Sequence, residues 1–308
     1  MTDSTINIRL ISYLVIDWGT TNFRAFAMSE DNTLLATREL NSGLLNVTNN
    51  QFAETLASIL EQWIGEYKHL PVYMAGMVGS AKGWHNVSYV STPAKCKSLN
   101  SKAFKFDLPW GAPAVIFPGV SDESRHQQYD VMRGEEVQLF GLASMLSESS
   151  FTAVLPGTHS KHAYFSDNSI IQFSSFLTGE LFSMVIGHSM LGKGLEIQKP
   201  FEQSAFIQGV NEAQNGALTN KLFLAWTHRL FQNLTEHQVP DYISGMLIGY
   251  ELKELKTKSI YLIGNQALCH RYLLAAKVLS ISAKIKSGNE CFLAGMSILK
   301  QGEEHESN

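Results

Sequence analysis

The 308-residue sequence lacks the features that would direct it to nucleic acid, a membrane or an oxidising compartment. No block of basic residues occurs and the formal net charge is −4, so nucleic acid is not an expected partner. No stretch approaches the ~20 apolar residues of a membrane span, and the first ten residues lack the apolar core of a signal peptide. The three cysteines are far apart, which excludes a zinc knuckle and a CxxC motif and fits a reducing cytoplasm.

Several catalytic motifs are also missing. The sequence has no GxxxxGK[ST] and is therefore not a P-loop enzyme, and it has no GxSxG elbow for serine hydrolysis. No GxGxxG follows the first predicted strand, which argues against NAD. Hydrophobic residues make up 44% and charged residues 17%, which is typical of a globular protein. The length suits two domains.

The two halves of the chain begin with the same pattern of predicted elements. Each pattern is a strand, a Gly-Thr turn, a strand, an Asp-Asn turn and another strand, with the first turns at Gly19-Thr20 and Gly157-Thr158. A repeat of about half the chain predicts two similar α/β domains, although a coincidence of two common hairpins is the alternative. We expect domains at residues 1–148 and 149–300, and a flexible tail at residues 301–308.

The strongest single motif lies at residues 17–24, where a buried strand ends in Asp17. Gly19 would let the backbone approach a ligand closely. The hydroxyl groups of Thr20 and Thr21 and the successive N–H groups suit phosphate oxygens. Asp17 is placed to hold Mg²⁺, directly or through water. The alternative is a plain hairpin with a polar tip.

Five segments, taken in order, resemble one family of kinases. Residues 17–24 are similar to the first phosphate-binding loop of hexokinases. The other four segments are residues 75–84, 131–138, 155–161 and 177–181. Together they resemble the 2-dehydro-3-deoxygalactonokinase family, within the actin–hexokinase–Hsp70 superfamily, over most of the chain. The resemblance implies an α/β fold of two RNase H-like domains that face each other across a nucleotide cleft, with ATP and Mg²⁺ as cofactors.

The turn at residues 157–161 is predicted to be the second phosphate loop. Gly157 permits close approach, Thr158 and Ser160 offer hydroxyl groups, and Lys161 adds a positive charge. A tight turn with a solvated lysine is the alternative. Sugar kinases often carry an aspartate just before this loop, but Pro156 occupies that position here. The catalytic base is therefore expected elsewhere.

Glu135 is the candidate for that base. It follows Gly134 at the start of a predicted helix, whose dipole favours a negative charge in the first turn. Whether Glu135 or Glu136 is the base stays open, and ordinary first-turn glutamates are the alternative. Glu136 is expected to matter less if it faces solvent. Four other acidic residues lie in segments predicted to be loops, so their direction is not fixed: Asp107, Asp122, Glu123 and Asp130.

Two arginines are candidates for binding the substrate carboxylate. Arg24 and Arg133 flank the predicted site, and Ser80 and Trp84 are expected to line the sugar-acid pocket. These assignments follow from the family resemblance and from the charge of a sugar acid. A metal role for the neighbouring histidines of the second half is not expected, because no acidic third ligand is near them.

The segment at Gly264-Asn265 ends a predicted strand and opens a predicted helix. In the superfamily a glycine-containing turn at this place lies against adenosine, so both residues are candidates for ATP binding. A plain turn is the alternative.

The resemblance implies a cytoplasmic kinase that phosphorylates the 6-hydroxyl group of 2-dehydro-3-deoxygalactonate in galactonate breakdown, with a small-molecule substrate as its partner. Two rivals remain. One is a phosphohydrolase of the exopolyphosphatase type, and the other is a non-catalytic nucleotide switch. The sequence decides neither the preferred epimer nor the oligomeric state, so a homodimer stays open.

Overall fold

The computed structural model describes residues 8–125, 128–195 and 200–306. The strands within these residues are β1 (Tyr13–Trp18), β2 (Phe23–Met28), β3 (Leu34–Leu40), β4 (Val72–Ala75), β5 (Val90–Ser91), β6 (Phe104–Asp107), β7 (Pro113–Ile116), β8 (Val120–Arg125), β9 (Gln128–Met132), β10 (Ser150–Leu155), β11 (Ser160–Ser166), β12 (Ser169–Phe176), β13 (Ser259–Gly264) and β14 (Ser282–Ser287). The α-helices are α1 (Phe52–Trp63), α2 (Cys96–Ser101), α3 (Glu135–Met145), α4 (Thr178–His188), α5 (Gln203–Glu212), α6 (Leu218–Leu230), α7 (Val239–Leu252), α8 (Gln266–Val278) and α9 (Gly288–Glu306).

Two sheets share one strand order. The first runs β3-β2-β1-β4-β7-β6 and the second runs β12-β11-β10-β13-β14, so five strands of each follow the order 3-2-1-4-5. The centre of the first sheet is parallel, β1 to β4 and β4 to β7, as is the centre of the second, β10 to β13 and β13 to β14. A further sheet has the order β5-β8-β9. This arrangement confirms the predicted α/β class with two RNase H-like units.

The chain divides into two units. Unit 1 comprises Met1–Ser149, Phe165–Gln172 and Glu290–Asn308, and unit 2 comprises Ser150–Tyr164 and Phe173–Asn289. The observed boundary after Ser149 lies one residue from the expected one. The C-terminal segment differs from expectation, because it groups with unit 1 instead of ending the second domain.

Helix α9 explains this difference. Its apolar residues Phe292, Met296 and Leu299 are buried, and the ring centroid of Phe292 lies 6.2 Å from that of Phe26 on β2. A Cβ atom on Gly295 would lie only 2.0 Å from the carbonyl oxygen of Val137 on α3, so the two helices touch through their backbones. The expected flexible tail at residues 301–308 is therefore wrong through residue 306, which still belongs to this helix.

The core of unit 1 forms beneath the first strand. The Trp18 ring packs edge-on against Phe23 and Phe52, with centroid distances of 5.1 and 5.6 Å. Helix α1 presents one apolar stripe to this core, Phe52, Leu56 and Leu60. Burying both sides of β1 fixes its carboxyl end, which is where the predicted ligand groups begin.

The helical layer of unit 2 contains a helix that the sequence did not predict. Helix α5 packs closely on α7, since a Cβ atom on Gly245 would lie 2.0 Å from the carbonyl oxygen of Phe206. Six of the ten residues of α5 are polar or glycine, which weakened its periodic signal. No helix among the described residues is both long and apolar enough to cross a membrane.

Candidate active site

The first predicted phosphate loop is the turn between β1 and β2. The Gly19 N–H group donates to the Asn22 carbonyl at 2.9 Å and closes the turn. Thr20 and Thr21 are exposed at its tip. Both threonines are therefore accessible at the surface of the turn, and their binding of phosphate stays a prediction.

Gly43, which sequence analysis missed, supports this loop from behind. Its N–H group donates to the Thr21 carbonyl at 2.9 Å, and the next two N–H groups, of Leu44 and Leu45, bind the carbonyls of Gly19 and Thr20 at 3.0 and 3.2 Å. A Cβ atom on Gly43 would lie 2.4 Å from the Thr20 carbonyl, so no other residue fits without moving the loop. The available signal was a glycine shortly after a predicted strand, which is common and gives no direction.

Asp17 and Arg24 face each other in the register of β1 and β2 and form an ion pair. The Arg24 Nε atom donates to Asp17 Oδ2 at 3.1 Å, and Nη2 donates to the same oxygen. The other oxygen, Oδ1, lies near two glycines: Cβ atoms on Gly76 and Gly134 would be 3.0 and 4.0 Å from it. The residues assigned to metal and substrate carboxylate are thus paired with each other.

Helix α3 begins beside this carboxylate. Gly134 has a φ of +108°, and its N–H group is shared by both carboxyl oxygens of Glu136 at 2.8 Å. Glu136 is 0% exposed, and burial, with the charge of Glu135 nearby, raises the pKa of its carboxyl to about 8. Glu136 therefore does not face solvent. Glu135 is half-buried, and one of its oxygens accepts the Arg133 N–H group at 3.1 Å.

The Arg133 side chain is only 8% exposed. Its Nη2 atom donates to the Val87 carbonyl at 2.7 Å, and its guanidinium carbon lies 4.2 Å from the centre of the Tyr89 ring. Its Nε and Nη1 atoms, and the buried Ser80 hydroxyl group, have no hydrogen-bond partner in the part of the chain that the structure describes. A Cβ atom on Gly79 would lie 2.9 Å from Nη1. A buried cation with unused donors strongly favours an anionic ligand.

Trp84 belongs to an aromatic cluster at one end of the unit 1 core. Its ring is parallel to that of Phe52, with a centroid distance of 6.1 Å and an interplanar angle of 12°, and it meets Phe106 edge-on at 5.3 Å. The ring is partly buried. Trp84 thus packs against the rings of the unit 1 core. It belongs to the same segment of the chain as Ser80.

The acidic residues of the segments predicted as loops lie on strands. Asp107 ends β6, Asp122 and Glu123 are on β8, and Asp130 is on β9. Asp122 is buried and accepts hydrogen bonds from the Thr92 hydroxyl at 2.9 Å and the Ser124 N–H group at 2.8 Å. Its carboxylate is occupied by structural contacts.

The second predicted phosphate loop joins β10 to β11 in unit 2. Thr158 is exposed, and its carbonyl accepts the Glu180 N–H group at 2.9 Å. A Cβ atom on Gly179 would lie 2.4 Å from the Gly157 carbonyl, so the first turn of α4 is in backbone contact with the loop. Gly157 and Thr158 are therefore presented beside a helix N-terminus, which suits an anion.

Ser160 and Lys161 differ from the prediction, because both side chains are buried. The Ser160 hydroxyl group donates to Glu251 at 2.7 Å, and the Lys161 ammonium group donates to the His159 carbonyl at 3.2 Å. Ser160 begins the strand, so its direction follows from the alternation of β11. The Ser160 hydroxyl does not extend the exposed tip of the loop.

The Gly264-Asn265 segment lies next to the second loop. A Cβ atom on Gly264 would lie 3.4 Å from the Pro156 carbonyl. The Asn265 side chain caps α8, because its Oδ1 atom accepts the N–H groups of Ala267 and Leu268 at 3.0 and 3.3 Å. That oxygen is thus used by the helix.

A cavity of about 220 Å³ opens beside Gly157 in unit 2. It is largely apolar and is lined by Gly157, Thr178, Gly179, Phe182, Ser244, Leu247, Ile248, Leu268, Arg271 and Tyr272, of which Arg271 forms an ion pair with Asp241 at 2.6 Å. These residues come from the second loop and from α4, α7 and α8. Sequence reasoning missed it because its lining is scattered over more than a hundred positions.

The described residues contain no group of three or more His, Cys, Asp or Glu side chains that could hold a metal ion. A metal at this site would therefore need oxygens from a ligand in addition to those of the protein. This distinguishes the site from a metal centre built by protein side chains alone.

Comparison with known proteins gives consistent matches. The family model of 2-keto-3-deoxy-galactonokinase matches residues 17–299. The 2-dehydro-3-deoxygalactonokinase of Escherichia coli (strain K12) is 32% identical over 291 residues, covering 92% of this chain and 96% of that protein. A Sinorhizobium meliloti crystal structure that carries the same name provisionally has a TM-score of 0.86 at 29% identity, covering 94% of this chain and 98% of that one. The activator of 2-hydroxyisocaproyl-CoA dehydratase from Clostridium difficile, solved with bound ADPNP, has a TM-score of 0.50 at 9% identity, which shows the fold alone.

Proposed function

Because the chain belongs to the 2-keto-3-deoxy-galactonokinase family and is a carbohydrate kinase, we propose that it transfers the γ-phosphoryl group of ATP to the 6-hydroxyl group of 2-dehydro-3-deoxygalactonate. The O6–P bond forms as the bond from the γ-phosphorus to the bridging oxygen breaks, and ADP leaves. Such a reaction needs positioning and charge neutralisation more than covalent chemistry.

Each unit offers one loop that can bind phosphate oxygens. The exposed tip formed by Gly19, Thr20 and Thr21 offers hydroxyl and N–H groups, and Gly157 and Thr158 offer theirs beside the start of α4. Lys161 adds positive charge from beneath the second loop, although its ammonium group donates to a backbone carbonyl.

Asp17 would hold Mg²⁺, directly or through water. The two glycines beside its Oδ1 atom leave room that a Cβ atom would fill, whereas Oδ2 is bound by Arg24. One carboxylate is enough, since Mg²⁺ usually combines one or two carboxylates with substrate phosphates. When bound, the ion neutralises charge on the transferring phosphoryl group.

Glu135 is the base that accepts the proton of the 6-hydroxyl group. It is only half-buried, so its carboxylate can reach a ligand, and its backbone is fixed by the bound Gly134 turn. Glu136 is the alternative, but its fully buried carboxyl already accepts the Gly134 N–H group.

Arg133 binds the carboxylate of the substrate, and this assignment rests on one observation. Two of its nitrogens are buried without a hydrogen-bond partner among the described residues, and the Ser80 hydroxyl group beside Gly79 is in the same state. A carboxylate would satisfy these donors, whereas a neutral sugar would leave the cation uncompensated. Arg24 contributes less, because its guanidinium group is paired with Asp17.

The cavity beside Gly157 takes the adenine base of ATP. Apolar side chains of α4, α7 and α8 would cover the base. The lining of the cavity also includes hydroxyl groups and the Arg271 guanidinium group. Gly264 is near the same loop and can adjoin the adenosine, while Asn265 acts through the α8 cap. We also propose that the enzyme works in the cytoplasm, as the three free cysteines suit a reducing compartment.

An ADP-release assay across sugar acids and neutral hexoses tests the proposed function. We expect activity with 2-dehydro-3-deoxygalactonate and none with galactose, because only the acid neutralises Arg133. Phosphate release from ATP without a sugar acid would identify the phosphohydrolase instead. ATP binding with no turnover on any acceptor would favour the nucleotide switch.

A further inference from the structure

A single buried carboxylate joins four elements of unit 2. Glu251, on α7, is 3% exposed. Its Oε1 atom accepts the Ser160 hydroxyl at 2.7 Å and lies 2.8 Å from His162 Nε2. Its Oε2 atom accepts the Tyr272 hydroxyl at 2.7 Å and the Thr178 hydroxyl. Strand β11 and helices α4, α7 and α8 therefore meet at one side chain.

The partners of Glu251 lie next to the groups that are proposed to bind the nucleotide. Thr178 and Tyr272 line the cavity beside Gly157, and Ser160 is the first residue after the exposed part of the second loop. Glu251 itself does not line the cavity. Glu251 therefore contacts residues around the cavity and the second loop, and not the space that a ligand would occupy.

The energetics make this contact a strong constraint. A buried carboxylate is tolerated only when its oxygens are fully hydrogen-bonded, and removing it leaves several donors without a partner. Glu251 therefore links its four partners, and loss of its carboxylate should loosen the loop, the start of α4 and the α8 wall of the cavity relative to one another.

We propose that Glu251 is the positioning residue of the nucleotide site, fixing the second phosphate loop relative to the cavity. The proposal rests on the proposed binding of ATP to these groups. Loss of the Glu251 carboxylate should weaken nucleotide binding. It should leave recognition of the sugar acid unchanged, because Arg133 and Ser80 belong to unit 1.

The chain offers a matched control in Glu212 on α5. Its carboxylate also binds a tyrosine and a histidine: it accepts the Tyr242 hydroxyl, lies 3.3 Å from His228 Nε2, and accepts the Gln208 amide at 2.9 Å. None of these partners lines the cavity. Replacing either glutamate by glutamine disturbs a carboxylate that contacts a tyrosine and a histidine within the same unit, although the Glu212 side chain is 25% exposed and that of Glu251 only 2%.

The experiment measures MgATP binding by isothermal titration calorimetry, without sugar acid, for the wild type, Glu251→Gln and Glu212→Gln. We expect Kd to rise about ten-fold or more in Glu251→Gln, the size of one lost hydrogen bond to a charged group, and to stay within about two-fold in Glu212→Gln. In steady-state assays Glu251→Gln should raise KM for ATP and not KM for the sugar acid. A native ATP Kd in folded Glu251→Gln, or an equal loss in Glu212→Gln, would overturn the proposal.

If Glu251→Gln does not fold, His162→Phe tests the proposed role of Glu251 instead. It removes one donor to Glu251 but keeps a ring against Phe176, whose centroid lies 4.4 Å away. His162 lines neither the loop tip nor the cavity, so weaker ATP binding in this variant would support action through Glu251. A folded His162→Phe protein with native Kd would refute it. ATP binding is read without an acceptor, so failure of the sugar-acid assay leaves this test intact.

Discussion

The two phosphate loops occupy equivalent turns of two sheets with the same strand order, yet their polar groups face different ways. In unit 1 the loop follows an aspartate, and both threonines at its tip are exposed. In unit 2 the loop follows Pro156, Thr158 at its tip is exposed, and Ser160 and Lys161 after it are buried. The same strand order in the two units thus does not give the same set of exposed polar groups, because the side chain that begins a strand can point to solvent or to a buried partner.

The comparison extends to the charges of each unit. Unit 1 holds the Asp17–Arg24 pair, Glu135 and the incompletely bonded Arg133, to which we assign metal binding, proton transfer and acid recognition as proposals. Unit 2 holds a mostly apolar cavity and a fully bonded Glu251. Changes in unit 1 should therefore alter kcat or the use of the sugar acid, and changes in unit 2 should alter nucleotide affinity.

The largest effect is expected for Glu135→Gln. This substitution keeps the shape of the side chain and removes the proton acceptor, so kcat should fall roughly 10²–10⁴-fold. KM for ATP should barely change, because other groups hold the phosphates. Steady-state rates of ADP release, measured at varied concentrations of both substrates, separate the effect on kcat from the effect on KM. Near-native kcat, or a greater loss in Glu136→Gln, would move the base away from Glu135.

Arg133→Met should come next, with a loss of about 10²-fold in kcat/KM for the sugar acid, as expected when one partner of a buried charge pair is removed. Arg133→Lys should recover part of this loss, since it restores the charge without the planar group. Arg38→Met makes the same charge change on the exposed face of β3 and should behave as wild type. Unchanged kcat/KM for the acid in Arg133→Met would assign its carboxylate to another residue.

A smaller effect is expected from the contact between α4 and the second loop. The Cβ atom of Gly179→Ala would lie 2.4 Å from the Gly157 carbonyl, so the loop must move and KM for ATP should rise several-fold with a lower Tm. Gly187→Ala, in the same helix, meets nothing within 4 Å and should raise stability by up to about 1 kcal/mol. Thermal melts and ATP titrations compare the two. Equal behaviour would show that the loop is not held by α4.

An effect on stability and not on catalysis is expected from pH in unit 1. Burial raises the pKa of Glu136 from its ordinary value of 4.5 to about 8, so the folded chain keeps a proton that the unfolded chain releases. The free energy of unfolding should therefore fall as pH rises between about 4.5 and about 8. Urea unfolding at several pH values should show a shallower slope for Glu136→Gln than for the wild type. The same slope in both would mean that Glu136 is ionised when folded.

The sequence predicted the succession of strands and turns that begins each half, because buried strands and Gly-Thr turns leave local signals. It did not predict the direction of Ser160, since side-chain direction depends on the register of β11 and on Glu251, which is far away along the chain. Gly43 and the cavity were missed for the same reason. Glu136 was judged from its place in a first helical turn, whereas the fold around Gly134 buries it. The roles of the site residues stay predictions.

Helix α9 determines the order in which the two units are completed during synthesis. This helix is synthesised after unit 2, yet it covers Phe26 and the backbone at Val137 in unit 1. Until this helix has been made, that apolar surface of unit 1 lacks its cover. A nascent chain that stops before Gly288 should therefore need chaperones to protect the part of unit 1 that precedes unit 2.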